Sequence, residues 1–199
     1  MKNIITIDFD IIMAPCIELY NNLVPEKDWQ QLQSIPQIQV ATADLNLYAR
    51  LTEYLLKIKN QISPKNIHFI VNHEDITYFI YPQEDITIYN IDHHHDCGYG
   101  KENNFLNLGC ANWVYFLKKK ISNFTYHWIC NNNSNFPEKN ELGYGLIDYY
   151  YYINSFNFNQ LPIPDELVIV LSPEWVPPNF HPLYTVWNNI FDFNKEREK

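Results

Sequence analysis

Apolar runs that end in ionisable residues are what most constrain this chain. Ile4 to Phe9 runs into Asp8-Phe9-Asp10, Asn66 to Val71 into Asn72-His73-Glu74-Asp75, and Asp85 to Ile91 into Asp92-His93-His94-His95-Asp96. Leu167 to Leu171 runs likewise into Ser172-Pro173-Glu174. Short β-branched runs of this kind read as buried strands. Leu45, Tyr48, Leu51, Leu55, Ile58 and Ile62 recur at spacings of three and four, with Asp44 as a cap and Pro64 beyond the end, which predicts a helix. Asp75 to Tyr81 reads as a shorter helix, and Phe124 to Cys130 as a further strand. Asn112 to Lys118 reads as another helix, its lysines near the negative end of the macrodipole. Strand, helix, strand order implies an α/β fold with a mostly parallel sheet flanked by helices. In such sheets ligands bind beyond the carboxyl ends of the strands, where these polar residues stand.

With 199 residues, 46% of them hydrophobic and 16% aromatic, the chain is long enough for one sizeable core, and a single domain over residues 1–199 is expected. A net charge of -9 leaves no basic excess to displace counterions from a phosphate backbone, so nucleic acid is not an expected partner and small or cationic substrates are. Cys16, Cys97, Cys110 and Cys130 form no Cys-x-x-Cys pair, which argues against a thiolate zinc site and fits reduced thiols in a cytoplasm. Asp8 and Asp10 cut the N-terminal apolar run well below the length of a signal or membrane segment. Asn131 to Asn140 is a polar stretch, and Tyr144 to Phe158 is dense in tyrosine and asparagine. Within it, Tyr149 to Tyr152 reads as a half-buried edge or lid, with a peptide-binding surface as the other meaning. Lys195 to Lys199 reads as a solvated end.

Alternation in extended backbone turns residues i, i+2 and i+4 to one side, so Asp92, His94 and Asp96 can converge while His93 and His95 face away. Asp8 and Asp10 can do the same. With His73 these make a donor set dominated by carboxylate oxygen, which suits a pair of octahedral divalent ions, Mn²⁺ above all, better than zinc. A lone Asp-x-Asp is usually a turn or cap, and a lone histidine is usually a packed one. Five consecutive ionisable residues directly after an apolar strand are another matter, because burying them unpaired is costly. Glu174 beside Trp175 suits a guanidinium, which accepts bidentate pairing and stacking. Asn112 and Trp113 are candidates to line the pocket, or else a helix start with a core tryptophan. His127 and His181 read as packing residues of a strand and a turn.

Asp92-His93-His94-His95-Asp96 resembles the Asp-x-His-x-Asp metal motif of the arginase and histone-deacetylase superfamily, and His73 resembles its upstream histidine ligand. Asp8-Phe9-Asp10, followed by Pro15, resembles the Asp-x-Asp element of arginases, and Ser172-Pro173-Glu174-Trp175 resembles the terminal strand and substrate-holding glutamate. Within the superfamily the chain looks like the compact peptide arginases, which convert arginine to ornithine in ribosomally made precursor peptides. The resemblance implies an arginase-like three-layer sandwich and two Mn²⁺ ions held by Asp8, Asp10, His73, Asp92, His94 and Asp96. It further implies Asp96 as proton carrier, Glu174 as guanidinium partner, and Trp175, Asn112 and Trp113 around the substrate. Since Asp-x-Asp comes first here and not after the histidine cluster, a rearranged strand order is expected. Asp-His-His phosphoesterases share part of the pattern, and a non-catalytic metal-stabilised binding module is the third reading.

Overall fold

Alternation along the first strand divides the core in two. In the computed structural model, which describes residues 1–13, 43–81, 84–99, 107–173 and 175–192, strand β1 (Lys2–Asp8) sends Ile5 and Ile7 into one apolar cluster and Ile4 into another. The first cluster is completed by helix α1 (Leu45–Ile58), through Leu47, Leu51, Tyr54, Leu55 and Ile58, and by Trp187 of helix α3 (His181–Ile190). The second is completed by Trp113, Val114 and Leu117 of helix α2 (Trp113–Lys120). Successive β-carbons point to opposite sides of a strand, so these clusters cover opposite faces of one sheet.

That sheet holds β1, β2 (Ile67–Ile70), β3 (Ile86–Ile91), β4 (Phe124–Cys130), β5 (Tyr149–Tyr152) and β6 (Glu166–Val170), in the order β2-β6-β1-β3-β4-β5. All of its pairings are parallel. The chain therefore leaves β1 toward β2 on one side through α1, and leaves β3 toward β4 on the other side through α2. The carboxyl ends of β1 and β3 are thus neighbours whose onward connections diverge, which opens a crevice at that point of the sheet. The late strand β6 pairs with β1 from Ile4↔Glu166 to Asp8↔Val170 and with β2 on its other side, so residues near 172 come to lie beside Asp8.

Local sequence accounts for most of the elements. Asp44 caps α1 by accepting the Leu47 N–H at 2.9 Å. Residues 73–79 form a 3₁₀ segment where a short helix over 75–81 is expected, and it starts at His73, inside the polar run. The four tyrosines of β5 form an edge strand. Helix α3 forms where the sequence suggests only a proline-rich stretch; Pro182 sits in its first turn, where a missing N–H costs nothing. Ala14, Pro15, Cys16 and the Lys195 to Lys199 tail lie outside the described residues. Among the described residues, no helix is long and apolar enough to cross a membrane.

Trp187 ties α3 to the rest: its ring stacks on Tyr48 at 5.1 Å, meets Phe9 edge-on at 5.0 Å, and its indole N–H donates to Thr52 Oγ1 at 2.8 Å. Trp187→Ala is expected to lower unfolding free energy by about 3–5 kcal/mol, measured by urea denaturation, because it leaves a large cavity.

Candidate metal centre

The crevice between β1 and β3 collects all six sequence-predicted ligands. Asp8 ends β1 and Asp10 follows in a 3₁₀ turn; the Asp8 carboxylate accepts the Asp10 N–H at 3.1 Å, which keeps the two acids adjacent. His73 arrives from the loop after β2. Its Nδ1 lies 3.1 Å from Asp8 Oδ2, 3.3 Å from Asp92 Oδ2 and 2.9 Å from Asp96 Oδ2. His94 Nδ1 lies 2.8 Å from Asp10 Oδ2 and 3.9 Å from Asp92 Oδ1. Donor atoms of Asp8, His73 and Asp92 lie within 4.8 Å of one another, as do those of Asp10, Asp92 and His94. Asp92 belongs to both triads.

The backbone reaches this arrangement differently from simple strand alternation. β3 stops at Ile91, and the ligand-bearing segment bends. Asp92 Oδ1 accepts the His94 N–H at 2.8 Å, and Asp96 turns inward through a left-handed backbone with φ of 53°. Ser172 has the same unusual conformation, φ 47°, and donates its hydroxyl to Asp8 Oδ2 at 2.6 Å. Two non-glycine residues in that region within one site mark it as held in place by its surroundings.

Several of the ligands have a buried partner behind them. Thr6 Oγ1 is 2.9 Å from His73 Nε2, a contact that holds the ring while Nδ1 faces the three carboxylates. Asn90 Nδ2 donates to Asp92 Oδ2 at 3.0 Å and to Tyr126 Oη at 2.8 Å. The Trp113 indole N–H donates to Asp96 Oδ2 at 2.6 Å, and that of Trp128 to the Asp92 carbonyl at 3.0 Å. Trp113 is fully buried, so it stands behind Asp96. Asn112 is committed to its own loop: its Oδ1 accepts from Gly109 N–H at 2.9 Å and its Nδ2 donates to the Asn107 carbonyl at 3.0 Å. Trp175 tilts against the His94 ring at 4.6 Å. His94 is the most open of the ligands, its side chain 18% exposed against 5% or less for His73, Asp8, Asp10, Asp92 and Asp96. Glu174 lies outside the described residues.

The remaining histidines serve other ends. His93 lies near Asn131 and Ser134, while His95 accepts the Cys97 N–H on Nδ1 at 3.0 Å and stacks on Tyr99 at 4.1 Å. Burial pushes both down to about 4, so they are neutral at physiological pH. His181 meets the Val176 carbonyl at 2.9 Å at the start of α3, and His127 stacks between Tyr89 and Tyr149.

Buried charge governs the titration of the cluster. Burial drives Asp10 well up, reinforced by Asp8 and Asp92, and lifts Asp96 to about 8 with help from Asp92. Burial opposes a charge on His94, but Asp10 outweighs it and holds the imidazole up at about 10. In His73 burial is likewise overcome, by Asp96 foremost, and the ring is raised. Burial also works against the Asp92 charge, yet His73 holds that carboxyl below the usual carboxylate range. The donor set fits divalent metal: Nδ1 of His73 is buried without an aligned hydrogen-bond acceptor although three carboxylates surround it, the relation expected of ligands sharing an ion.

No family model matches the chain, and no curated protein or solved structure is significantly similar to it.

Two outcomes follow from this geometry. Ser172→Ala removes the hydroxyl that orients Asp8 and is expected to weaken Mn²⁺ affinity by about 10–100-fold, read by titration calorimetry. His94 and Asp96 hold their protons more tightly folded than unfolded, so the stability they lend is present at low pH. It is lost as pH rises from 6.5 to about 10 for His94 and from 3.8 to about 8 for Asp96. The thermal midpoint of metal-free protein is therefore expected to fall between pH 6.5 and 10, most steeply below 8 where both titrate, and Mn²⁺ is expected to flatten that fall.

Proposed function

We propose that the chain is a binuclear manganese hydrolase of arginase-like three-layer build, acting in the cytoplasm on arginine residues of a peptide to give ornithine and urea. The observation that carries this reading is the pair of donor triads, Asp8-His73-Asp92 and Asp10-Asp92-His94, meeting at Asp92. Four carboxylates and two imidazoles match a pair of divalent ions in charge and in oxygen preference. Two such ions supply Lewis acidity and make water a nucleophile near neutral pH.

The chain's own residues then have distinct tasks. Asp8, Asp92 and Asp96 converge on one side of the cluster and Asp10 with His94 on the other, with Thr6, Ser172, Asn90 and Trp113 fixing their angles. Entry is at His94, the least buried ligand, where the Trp175 ring offers a flat face for a guanidinium. Glu174, next to it in sequence, is the proposed ion-pair partner of that guanidinium. Water adds to the guanidinium carbon and the bond to the side-chain Nε breaks. Asp96, 2.9 Å from His73 Nδ1 and bonded by the Trp113 indole, is the proposed carrier of the proton from water to the departing Nε. Among the described residues, the groups that shift the ligands' titration are members of the cluster itself and none is a lysine or arginine, which favours a cationic substrate over a phosphoester.

Incubating Mn²⁺-loaded protein with arginine-containing peptides is expected to convert arginine to ornithine, seen by mass spectrometry as loss of the guanidine carbon with two of its nitrogens. Asp92→Asn, which strikes both triads, should remove bound manganese and at least about a thousandfold of the turnover while leaving the far-ultraviolet spectrum unchanged. Cleavage of a phosphodiester by the wild type with every arginine intact would replace this reading by the phosphoesterase one.

A further inference from the structure

Strand β5 is an edge without the usual protection. Its four residues, Tyr149 to Tyr152, are 54%, 52%, 38% and 41% exposed, and none is charged or a proline. It pairs with β4 on one side, and among the described residues no strand pairs with the other. Exposed strand edges are normally blunted by lysine, proline or a bulge, because their free backbone groups invite another chain. The rings are braced from within the protein: Tyr149 stacks on His127 at 4.7 Å, Tyr150 meets Phe136 at 4.8 Å, and Tyr151 meets Phe156 at 5.3 Å. Alternation places Tyr149 and Tyr151 on one face and Tyr150 and Tyr152 on the other. The edge is thus a rigid pleat with aromatic faces on both sides.

We infer that this edge docks the peptide that carries the target arginine, as an added strand of basic, extended chain. The identity of that occupant rests on the function proposed above; the edge and its chemistry do not. The net charge of -9 favours approach of a basic partner over that of a second copy of the same acidic chain. Lysine and arginine side chains at alternate positions of an added strand fall over the tyrosine rings, a cation–π contact, while the backbone supplies sequence-independent hydrogen bonds. Geometry connects the two sites. β5 is parallel to β4 and β3, so its carboxyl end lies at the same end of the sheet as the metal cluster. A seventh strand would stand three strand spacings from β3, about 15 Å. At about 3.3 Å per residue, four or five extended residues span that distance, so the reacting arginine belongs about that far along the peptide from its docked segment.

The probe is a fluorescein-labelled peptide of about a dozen residues, alternating lysine and valine before a single arginine, titrated by anisotropy into the full-length Mn²⁺-loaded protein. Tyr149→Lys combined with Tyr150→Lys, the two most exposed positions and one on each face, is expected to weaken binding at least about tenfold with manganese content and circular dichroism unchanged. N-methylation of alternate amides within the lysine-valine segment should weaken binding to the same degree, which separates strand addition from charge attraction alone. Equal binding by the double variant or by the N-methylated peptide overturns the inference. So does sedimentation showing a dimer that the same substitutions dissociate, since the edge then belongs to a second copy. Binding that is lost on both changes while no ornithine forms supports the docking edge and refutes the arginase reading, so the two fail separately.

Discussion

Four carboxylates brought together in a dry interior repel one another, and no arrangement of neutral neighbours relieves that repulsion. In this protein Asp8, Asp10, Asp92 and Asp96 are all buried at the carboxyl ends of two adjacent strands. The protein alone answers with protons: burial holds them on Asp10 and Asp96, and the acids in turn hold them on His73 and His94. A divalent cation would answer the same need, because the ligands already converge. The surroundings are arranged for convergence, with a hydroxyl, an amide or an indole behind each of several ligands.

Topology does the gathering. β1 and β3 are neighbours whose onward chains part in opposite directions, so their ends stay open to a ligand. β6 then slides between β1 and β2 and brings the Ser172 hydroxyl to Asp8, while the loop after β2 delivers His73 across the same end. The cores on the two faces, one closed by α1 and α3 and the other by α2, hold the strands that set these positions. The left-handed residues Asp96 and Ser172 show where the chain bends out of its easiest path to finish the cluster.

Much of this was legible in the residues. Apolar runs ending in acids and histidines marked the strands and located the site at their ends, and the spacing from Leu45 onward marked α1 with its Asp44 cap. The orienting residues were less visible because each looks ordinary on its own. Thr6 and Asn90 stand two places before Asp8 and Asp92, polar interruptions within apolar strands, and alternation puts each on the same side as the ligand that follows. The helix over 181–190 was hidden by prolines that break a helix interior but are harmless in its first turn. Trp113 shows a different limit: its place at a helix start was evident, but whether its indole faces a pocket or a carboxylate depends on contacts far apart in the chain.

The insertion of β6 has a consequence for how such a protein is made. The hydroxyl that orients Asp8 comes 164 residues later in the chain, on the loop that follows the last strand to join the sheet. A nascent chain emerging from a ribosome would expose Asp8, Asp10 and the histidine cluster well before the strand that separates β2 from β1 exists. Until β6 is synthesised, β2 is parted from β1, and the segment bearing His73 has no fixed seat beside Asp8. Long-range closure of this kind comes late in folding. The triad that includes His73 is therefore completed only once β6 has joined the sheet, whereas Asp10, Asp92 and His94 need no more than the pairing of β1 with β3.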